Sequence, residues 1–156
     1  MEIKIRPLRI EDAYTSVQWR NDPEVFKYTK NTYDHVITVE SELTWIKRVI
    51  VNTDEYRCAI IADDIYVGNI YLTKITEESA VYQIFIGDKS YWGKGVAKEA
   101  SLLIIRYAFN ELKLQCVRLS VNSKNVRAIS LYERIGFKTI SQECGWLRME
   151  IRKLNN

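Results

Sequence analysis

Tyr91-Trp92-Gly93-Lys94-Gly95-Val96-Ala97-Lys98-Glu99-Ala100 is the stretch on which the interpretation of this chain depends. It follows an apolar, strand-like run at 82–86 and opens a helical pattern that continues to about residue 112. Glycine permits unusual backbone angles and the close approach of another group. The first turn of a helix also has unpaired N–H groups and partial positive charge. The stretch therefore predicts an anion site, most often for phosphate.

The composition is that of an ordinary soluble domain. The chain has 156 residues, of which 47% are apolar and 28% are charged, and its net charge is +3. This length favours a single domain over residues 1–156. The basic excess forms no Lys/Arg block, which argues against a nucleic-acid partner. No apolar run in the sequence approaches the length of a membrane span, so we expect no membrane association.

The cysteines and the histidine give no sign of a metal site. Cys58, Cys116 and Cys144 are widely spaced and odd in number, and His35 is the one histidine. This pattern favours reduced thiols in a cytoplasmic protein over a disulfide framework. We therefore expect no metal, and we interpret Cys144, which has no activating neighbour in the sequence, as structural.

Hydrophobic periodicity divides the chain into alternating strands and helices. Strands are predicted at 2–8, 56–62, 66–73, 81–86, 116–121, 137–140 and 145–151. Helices are predicted at 11–20, after Pro23, after a Thr38 cap with Leu43, Ile46 and Ile50 on the apolar face, at 94–112 and at 122–135. This order is not the βαβ alternation of a doubly wound sheet. It predicts an α+β fold of three layers, α/β/α, in which a mixed, mostly antiparallel sheet of six to seven strands has helices on both faces.

A second segment, 121–137, places two polar side chains on one helix face. Asn125 and Tyr132 are seven residues apart, which is about 10 Å along a helix axis. An amide and a phenol at that separation could contact two points of one elongated ligand. The spacing alone favours the alternative that both residues have packing or capping roles.

The two segments together resemble the acetyl-CoA-binding motifs of the GNAT superfamily of N-acetyltransferases. The glycine turn resembles the pyrophosphate loop of that family, Gln/Arg-x-x-Gly-x-Gly/Ala. The later helix resembles the pattern Asn-x-x-Ala-x-x-x-Tyr-x-x-x-Gly-Phe, which is met here by Asn125, Ala128, Tyr132, Gly136 and Phe137. The order of elements agrees with the family over essentially the whole chain. The fold implied is therefore GNAT-like.

One departure from the family pattern points to a branch. We interpret Trp92 as occupying the position where the loop usually has Gln or Arg. The loop Tyr-Trp-Gly-Lys-Gly and the segment at 19–25 resemble the branch of ribosomal-protein N-terminal acetyltransferases. The segment at 19–25 also resembles amino-sugar-nucleotide N-acetyltransferases.

The resemblance implies acetyl-CoA as co-substrate and assigns roles to particular residues. The backbone of Ile84, Phe85 and Ile86 would pair with the pantetheine arm, and Asn125 would bind the same region. Tyr132 would give a proton to the departing thiolate, as a protonated phenol can at neutral pH. The pyrophosphate would bind the loop formed by Trp92, Gly93, Lys94, Gly95, Val96, Ala97 and Lys98.

The residue that would deprotonate the acceptor amine stays open. The family often has a carboxylate near the start of the fourth strand, and the matching region at 80–83 has none. Glu77 and Glu78 are more simply explained as solvated turn charges, and Glu99 as a first-turn acid on a helix. His35 could serve, although a lone loop histidine is more often surface. Tyr28, Tyr33 and His35 are the acceptor-site candidates.

The resulting hypothesis is an acetyl-CoA-dependent N-acetyltransferase in which a primary amine attacks the thioester directly. The acceptors, in order, are a protein N-terminus or other peptide amine, an amino-sugar nucleotide, and a small amine such as a polyamine or antibiotic. One alternative is a non-catalytic acyl-CoA-binding or sensor module. A dinucleotide enzyme is excluded because no third glycine follows the pair. A homodimer is implied by the family resemblance alone.

Overall fold

The computed structural model describes residues 1–29 and 35–154. Its strands are Ile3–Pro7 (β1), Tyr56–Ala62 (β2), Ile65–Thr73 (β3), Ser79–Ile86 (β4), Cys116–Asn122 (β5), Lys138–Glu143 (β6) and Trp146–Arg152 (β7). They form one sheet in the order β1-β2-β3-β4-β5-β7-β6. The β4–β5 pair is parallel and the other pairs are antiparallel. This confirms the mixed, mostly antiparallel sheet and sets its strand number at seven.

In the part of the chain that the structure describes, four α-helices cover the two faces of the sheet. They are Ala13–Arg20 (α1), Val39–Val49 (α2), Val96–Asn110 (α3) and Val126–Ile135 (α4). Helices α3 and α4 pack over the larger apolar cluster, whereas α2 contributes Trp45 to a smaller cluster beneath the opposite face. Because side chains alternate along a strand, neighbouring residues such as Tyr71 and Leu72 belong to different clusters. The predicted three layers are confirmed.

The short connections follow from their sequences. Asp63 and Asp64 join β2 to β3 with φ of 47° and 70°. Two successive positive φ angles are the geometry of a two-residue hairpin turn, which Asp tolerates. Gly136 ends α4 with φ of 122°. The first turn makes β2 and β3 a hairpin, and the second lets the chain leave α4 for β6.

Two local predictions were wrong. The segment after Pro23 forms hydrogen-bonded turns and not a helix. Its backbone bonds span three residues, from the Val25 N–H to the Asp22 carbonyl at 3.2 Å and from the Thr29 N–H to the Phe26 carbonyl at 3.1 Å, which is the spacing of turns and not of an α-helix. Ile50 does not face the core: it follows the last residue of α2 and is 39% exposed. Val49 takes the buried position instead.

Candidate active site

Strands β4 and β5 run side by side for a short distance and then separate. Their pairing covers three positions and ends at Val81↔Arg118. Beyond that point β4 stays paired with β3 as far as Ile86, whereas β5 stays paired with β7 as far as Asn122. A gap therefore opens between the carboxyl ends of the two parallel strands. An extended ligand can add to a strand edge of this kind through main-chain hydrogen bonds.

The N-terminus of α3 lies at the open end of this gap, since the loop after β4 leads directly into it. Gly95 precedes the helix with φ of 82°, and within the described part of the chain no side chain caps the first turn. The other two long helix starts are capped: Thr38 accepts a bond from Ser41 N at 3.1 Å, and Asn125 caps α4. The first-turn N–H groups of α3 are thus left for an anion.

Both loop glycines have conformations that other residues avoid. Gly93 and Gly95 have φ of 74° and 82°. An added Cβ at Gly95 would have no heavy atom within 4 Å, so the backbone there is open to an incoming group. Lys94 and Lys98, both exposed, flank this opening with positive charge. An open backbone with positive charge beside it suits a phosphate group, and the assignment of this loop to the pyrophosphate of acetyl-CoA stays a prediction.

Trp92 holds the glycine loop against the sheet. Its indole Nε1–H donates to the carbonyl oxygen of Ile86 at 2.8 Å. Ile86 is the last residue of β4, so this bond fixes the start of the loop against the strand edge. The assignment of Trp92 to the Gln/Arg position was wrong, because that position lies three residues before Gly93 and is Ser90.

Tyr132 lies on α4 behind the gap. It is 8% exposed, and its ring meets that of Tyr82 edge to face, with centroids 5.7 Å apart. Burial raises the pKa of the Tyr132 phenol to about 12, and hydrogen bonding with Tyr82 acts in the opposite direction. The phenol therefore stays protonated across the physiological range, as a proton donor must.

One of the two polar groups of the Asn125 side chain already has a structural role. Its Oδ1 accepts a bond from the backbone N–H of Ala128 at 3.3 Å and so caps α4. This contact uses the carbonyl oxygen of the side chain, which leaves the amide nitrogen as the group that could donate to a cofactor. Its assignment to pantetheine stays a prediction.

The other face of β4 is lined by aromatic side chains. Phe85 contacts Phe26 with ring centroids 5.0 Å apart and Trp19 at 6.1 Å. Trp19 lies directly on Gly87, where an added Cβ would come within 1.9 Å of the indole. The α1 side of the sheet thus forms an apolar wall beside the end of β4, where an acceptor would approach.

The acceptor-site candidates are only partly placed. Tyr28 is half-buried, with the Lys27 ammonium 5.3 Å from its ring centre. His35 is exposed. Tyr33 lies outside the described residues. The structure therefore does not bring these three together into one described cluster, and their roles stay predictions.

Three carboxylates on or next to α1 and α2 have cationic partners. Buried Glu42 accepts bonds from Ser16 Oγ at 2.9 Å and Arg20 Nε at 3.3 Å. Asp22 and Glu24 both pair with the Lys89 ammonium, at 2.9 and 3.4 Å. These three carboxylates are thus already engaged in ion pairs.

The other candidates for the general base are exposed acids in a turn or at a helix start: Glu77, Glu78 and Glu99. Glu77 and Glu78 are exposed in the turn before β4. Glu78 is four residues from Tyr82, or about 13 Å along a strand, and lies at the closed end of the gap. Glu99 is exposed on the first turn of α3. None of these residues is placed as the base, and the group that deprotonates the amine stays open.

Sequence reasoning missed two features of this site. One is the separation of β4 from β5, because periodicity predicts strands without showing how far they pair. The other is a buried contact between Tyr82 and Ser101, whose oxygens lie 2.5 Å apart. The alternation that buries Ala80 and Tyr82 was the available signal for this contact.

Residues 1–29 and 35–154 are the ranges that bear on a metal site or a membrane-spanning helix. In those ranges His, Cys, Asp and Glu side chains form no group of three or more able to hold a metal ion. Nor does any helix there combine the length and apolar character needed to cross a membrane. The cytoplasmic location stays an expectation.

The geometry of the site defines a class of protein. A sheet that splits between two parallel strands, an uncapped helix start at the split and a buried phenol behind it fit an acyltransferase that uses a CoA thioester. The chain matches the acetyltransferase (GNAT) domain over residues 2–138, and it belongs to that family.

Several curated relatives are similar over most of their length. The chain is 30% identical over 145 residues to the probable N-acetyltransferase YjcK of Bacillus subtilis, covering 86% of this chain and 80% of that protein. It is 31% identical over 138 residues to the spermidine N(1)-acetyltransferase of Escherichia coli K12, covering 86% and 72%. These matches establish an acetyl-CoA-dependent N-acetyltransferase of the GNAT type.

Solved structures show the same fold. The spermidine N-acetyltransferase of Vibrio cholerae in complex with CoA and spermine has a TM-score of 0.85 at 24% identity, over 96% of this chain and 95% of that one. The Campylobacter jejuni N-acetyltransferase PseH in complex with acetyl coenzyme A has a TM-score of 0.76 at 18% identity, over 98% and 100%. The predicted GNAT-like fold is confirmed.

Proposed function

We propose that this enzyme transfers the acetyl group of acetyl-CoA to a primary amine of a small molecule, by direct attack while both substrates are bound. The observation that carries this proposal is the gap between β4 and β5, with the uncapped start of α3 at its mouth and Tyr132 behind it. A thioester held in the gap would be open to attack from the aromatic side of β4, and its departing sulfur would face the Tyr132 side.

Different residues of the enzyme would bind the cofactor and protonate its sulfur. The first-turn N–H groups of α3 and the loop from Trp92 to Lys98 would hold the pyrophosphate, helped by Lys94 and Lys98. The backbone of 84–86 would align the pantetheine arm, and a strand N–H could polarise the thioester carbonyl. Tyr132 would protonate the sulfur as the carbon–sulfur bond breaks.

The acceptor is the finer part of the proposal. The relatives of E. coli and V. cholerae are spermidine acetyltransferases by name, which supports a polyamine as the first acceptor to test. A peptide with a free N-terminus, as in the ribosomal-protein branch, and an amino-sugar nucleotide are the alternatives. The apolar wall formed by Trp19, Phe26 and Phe85 would contact the carbon chain of the acceptor.

The first experiment is thermal unfolding with acetyl-CoA, free CoA, ATP and NADH in parallel. A ligand present at about a hundred times its Kd stabilises the folded state by about 2.7 kcal/mol. We expect a shift with acetyl-CoA and CoA and none with NADH. The absence of a shift with either CoA species would overturn the assignment of the loop.

The second experiment measures thiol release with an acceptor panel. The panel contains spermidine, a monoamine of similar length, a peptide with a free N-terminus and an amino-sugar nucleotide. We expect turnover with spermidine above that with the peptide. Cofactor binding without turnover on any acceptor would favour the sensor module instead.

A further inference from the structure

Three hydroxyl or carbonyl groups form a buried chain behind the gap. Ser101 Oγ donates to the backbone carbonyl of Ala97 at 2.6 Å, and the Tyr82 hydroxyl lies 2.5 Å from the same Ser101 oxygen. Ser101 and Tyr82 are 0% and 2% exposed. A serine hydroxyl has one hydrogen to give. With that hydrogen on Ala97, the Tyr82 hydroxyl must donate to Ser101.

The ring of Tyr132 lies against that of Tyr82 at the other end of this chain. The rings of Tyr82 and Tyr132 stand at 86° with centroids 5.7 Å apart. Burial, and after it the neighbouring Tyr132, raises the pKa of Tyr82 well above its usual value. Hydrogen bonding with Tyr82 pulls the pKa of Tyr132 downward. Tyr82 is thus the partner that stays protonated and can donate to a Tyr132 phenolate.

The position of Tyr82 connects this chain to the split in the sheet. Tyr82 follows Val81, whose pair with Arg118 is the last between β4 and β5. Its hydroxyl therefore links β4, at the apex of the gap, to α3 through Ser101, and its ring contacts Tyr132 on α4. A phenylalanine would fill the same aromatic cluster with Tyr132 and Phe137 and would bury no polar atom.

A buried phenolate requires a donor. When the carbon–sulfur bond of the thioester breaks, the sulfur takes the Tyr132 proton and leaves a phenolate in an apolar surrounding, which is costly unless it accepts a hydrogen bond. The Tyr82 hydroxyl can turn from Ser101 to the Tyr132 oxygen, and Ser101 can turn from Ala97 to Tyr82. The acceptor nitrogen loses its proton to water, and water returns a proton to Tyr132 after CoA leaves.

We propose that Tyr82 and Ser101 are positioning residues that make Tyr132 an effective acid, through a hydroxyl chain that reverses direction as Tyr132 gives up its proton. The inference rests on the proposed function, in which Tyr132 is that acid. Hydrogen bonds to charged groups are about twice as strong as neutral ones. Removing the Tyr82 hydroxyl should therefore lower kcat markedly while the ring packing remains.

The test compares Tyr82→Phe, Tyr132→Phe and the double variant. We expect Tyr82→Phe to lower kcat about ten- to a hundredfold and to leave the KM for acetyl-CoA within about twofold. In the Tyr132→Phe background, Tyr82→Phe should cause no further loss, because residues that act as a unit are not additive. Tyr107→Phe, on the same helix as Ser101 but stacked on Tyr56, is the matched control and should keep full kcat.

Ser101→Ala gives a second, smaller change if Tyr82→Phe folds poorly. It keeps both rings and removes one oxygen, and we expect a loss of about threefold in kcat that is also absent in the Tyr132→Phe background. If Tyr132→Phe lowers kcat but Tyr82→Phe does not, or if the two losses multiply, the hydroxyl chain is wrong and the acid role of Tyr132 stands. If Tyr132→Phe keeps full kcat, both proposals fail together.

Discussion

A single phenol accounts for the acid step in the proposed reaction. Tyr132→Phe removes the proton donor and keeps the ring that contacts Tyr82 and Phe137. We expect kcat to fall roughly ten- to a thousandfold with the Kd for acetyl-CoA nearly unchanged. Steady-state thiol release together with thermal shift by acetyl-CoA separates the two quantities. Unchanged kcat would remove Tyr132 from the acid role.

The raised pKa of Tyr132 has a consequence for the pH profile. An acid works only while protonated, and burial places the pKa of this phenol at about 12. We therefore expect no decline of kcat from loss of this acid between about pH 8 and pH 10, where an unshifted phenol with a pKa of about 10 would already be titrating. A decline in kcat near pH 9.5 that Tyr132→Phe abolishes would contradict the shift.

Two glycines with nearly identical φ angles allow a matched test of the phosphate loop. Gly95 and Gly145 have φ of 82° and 83°, and an added Cβ meets nothing within 4 Å at either position. Gly95→Val and Gly145→Val should therefore impose similar backbone strain. Only Gly95→Val should block acetyl-CoA binding, because it adds bulk where the pyrophosphate approaches. Equal cofactor affinity in the two variants would refute the loop assignment.

At the scale of elements, periodicity and turn residues predict much of the fold. The Asp63–Asp64 turn, the Thr38 cap and the Gly136 stop each act locally, so the sequence shows them. The end of the β4–β5 pairing depends on how two sheet halves pack on their helices. The link between Tyr82 and Ser101 likewise joins residues on different elements, which no local pattern reveals.

The loop after α1 and the loop after β4 are joined by charge. The Lys89 ammonium lies 2.9 Å from Asp22 and 3.4 Å from Glu24, and hydrogen bonding to Lys89 lowers the pKa of Asp22. A cationic acceptor could take the place of this ammonium. We expect Lys89→Gln to lower the KM for spermidine severalfold, because it frees both carboxylates, while the KM for a monoamine changes little. An equal effect on both amines would exclude this loop from polyamine binding.

At the scale of the whole molecule, both ends of the chain contribute to one sheet. Strand β1 pairs with β2 at one edge, and β6 forms the other edge with all six of its residues exposed. Pairing along β7 still holds β6 to the sheet. The homodimer implied by the family resemblance stays a prediction, and β6 is the exposed edge on which to look for it.

The charge of the molecule bears on cofactor capture. The chain carries a net charge of +3, and Lys94 and Lys98 stand exposed beside the uncapped start of α3. Attraction between exposed charges is screened over about 10 Å at 0.1 M salt and about 3 Å at 1 M. We therefore expect the Kd for acetyl-CoA, measured by calorimetry, to rise as salt is increased over this range. The Kd of S-acetylpantetheine, which lacks the phosphates, should change little, because its binding depends on the strand edge of β4 and the apolar gap. If salt raised the Kd of both ligands alike, or of neither, this helix start and the charge beside it would not bind the phosphates.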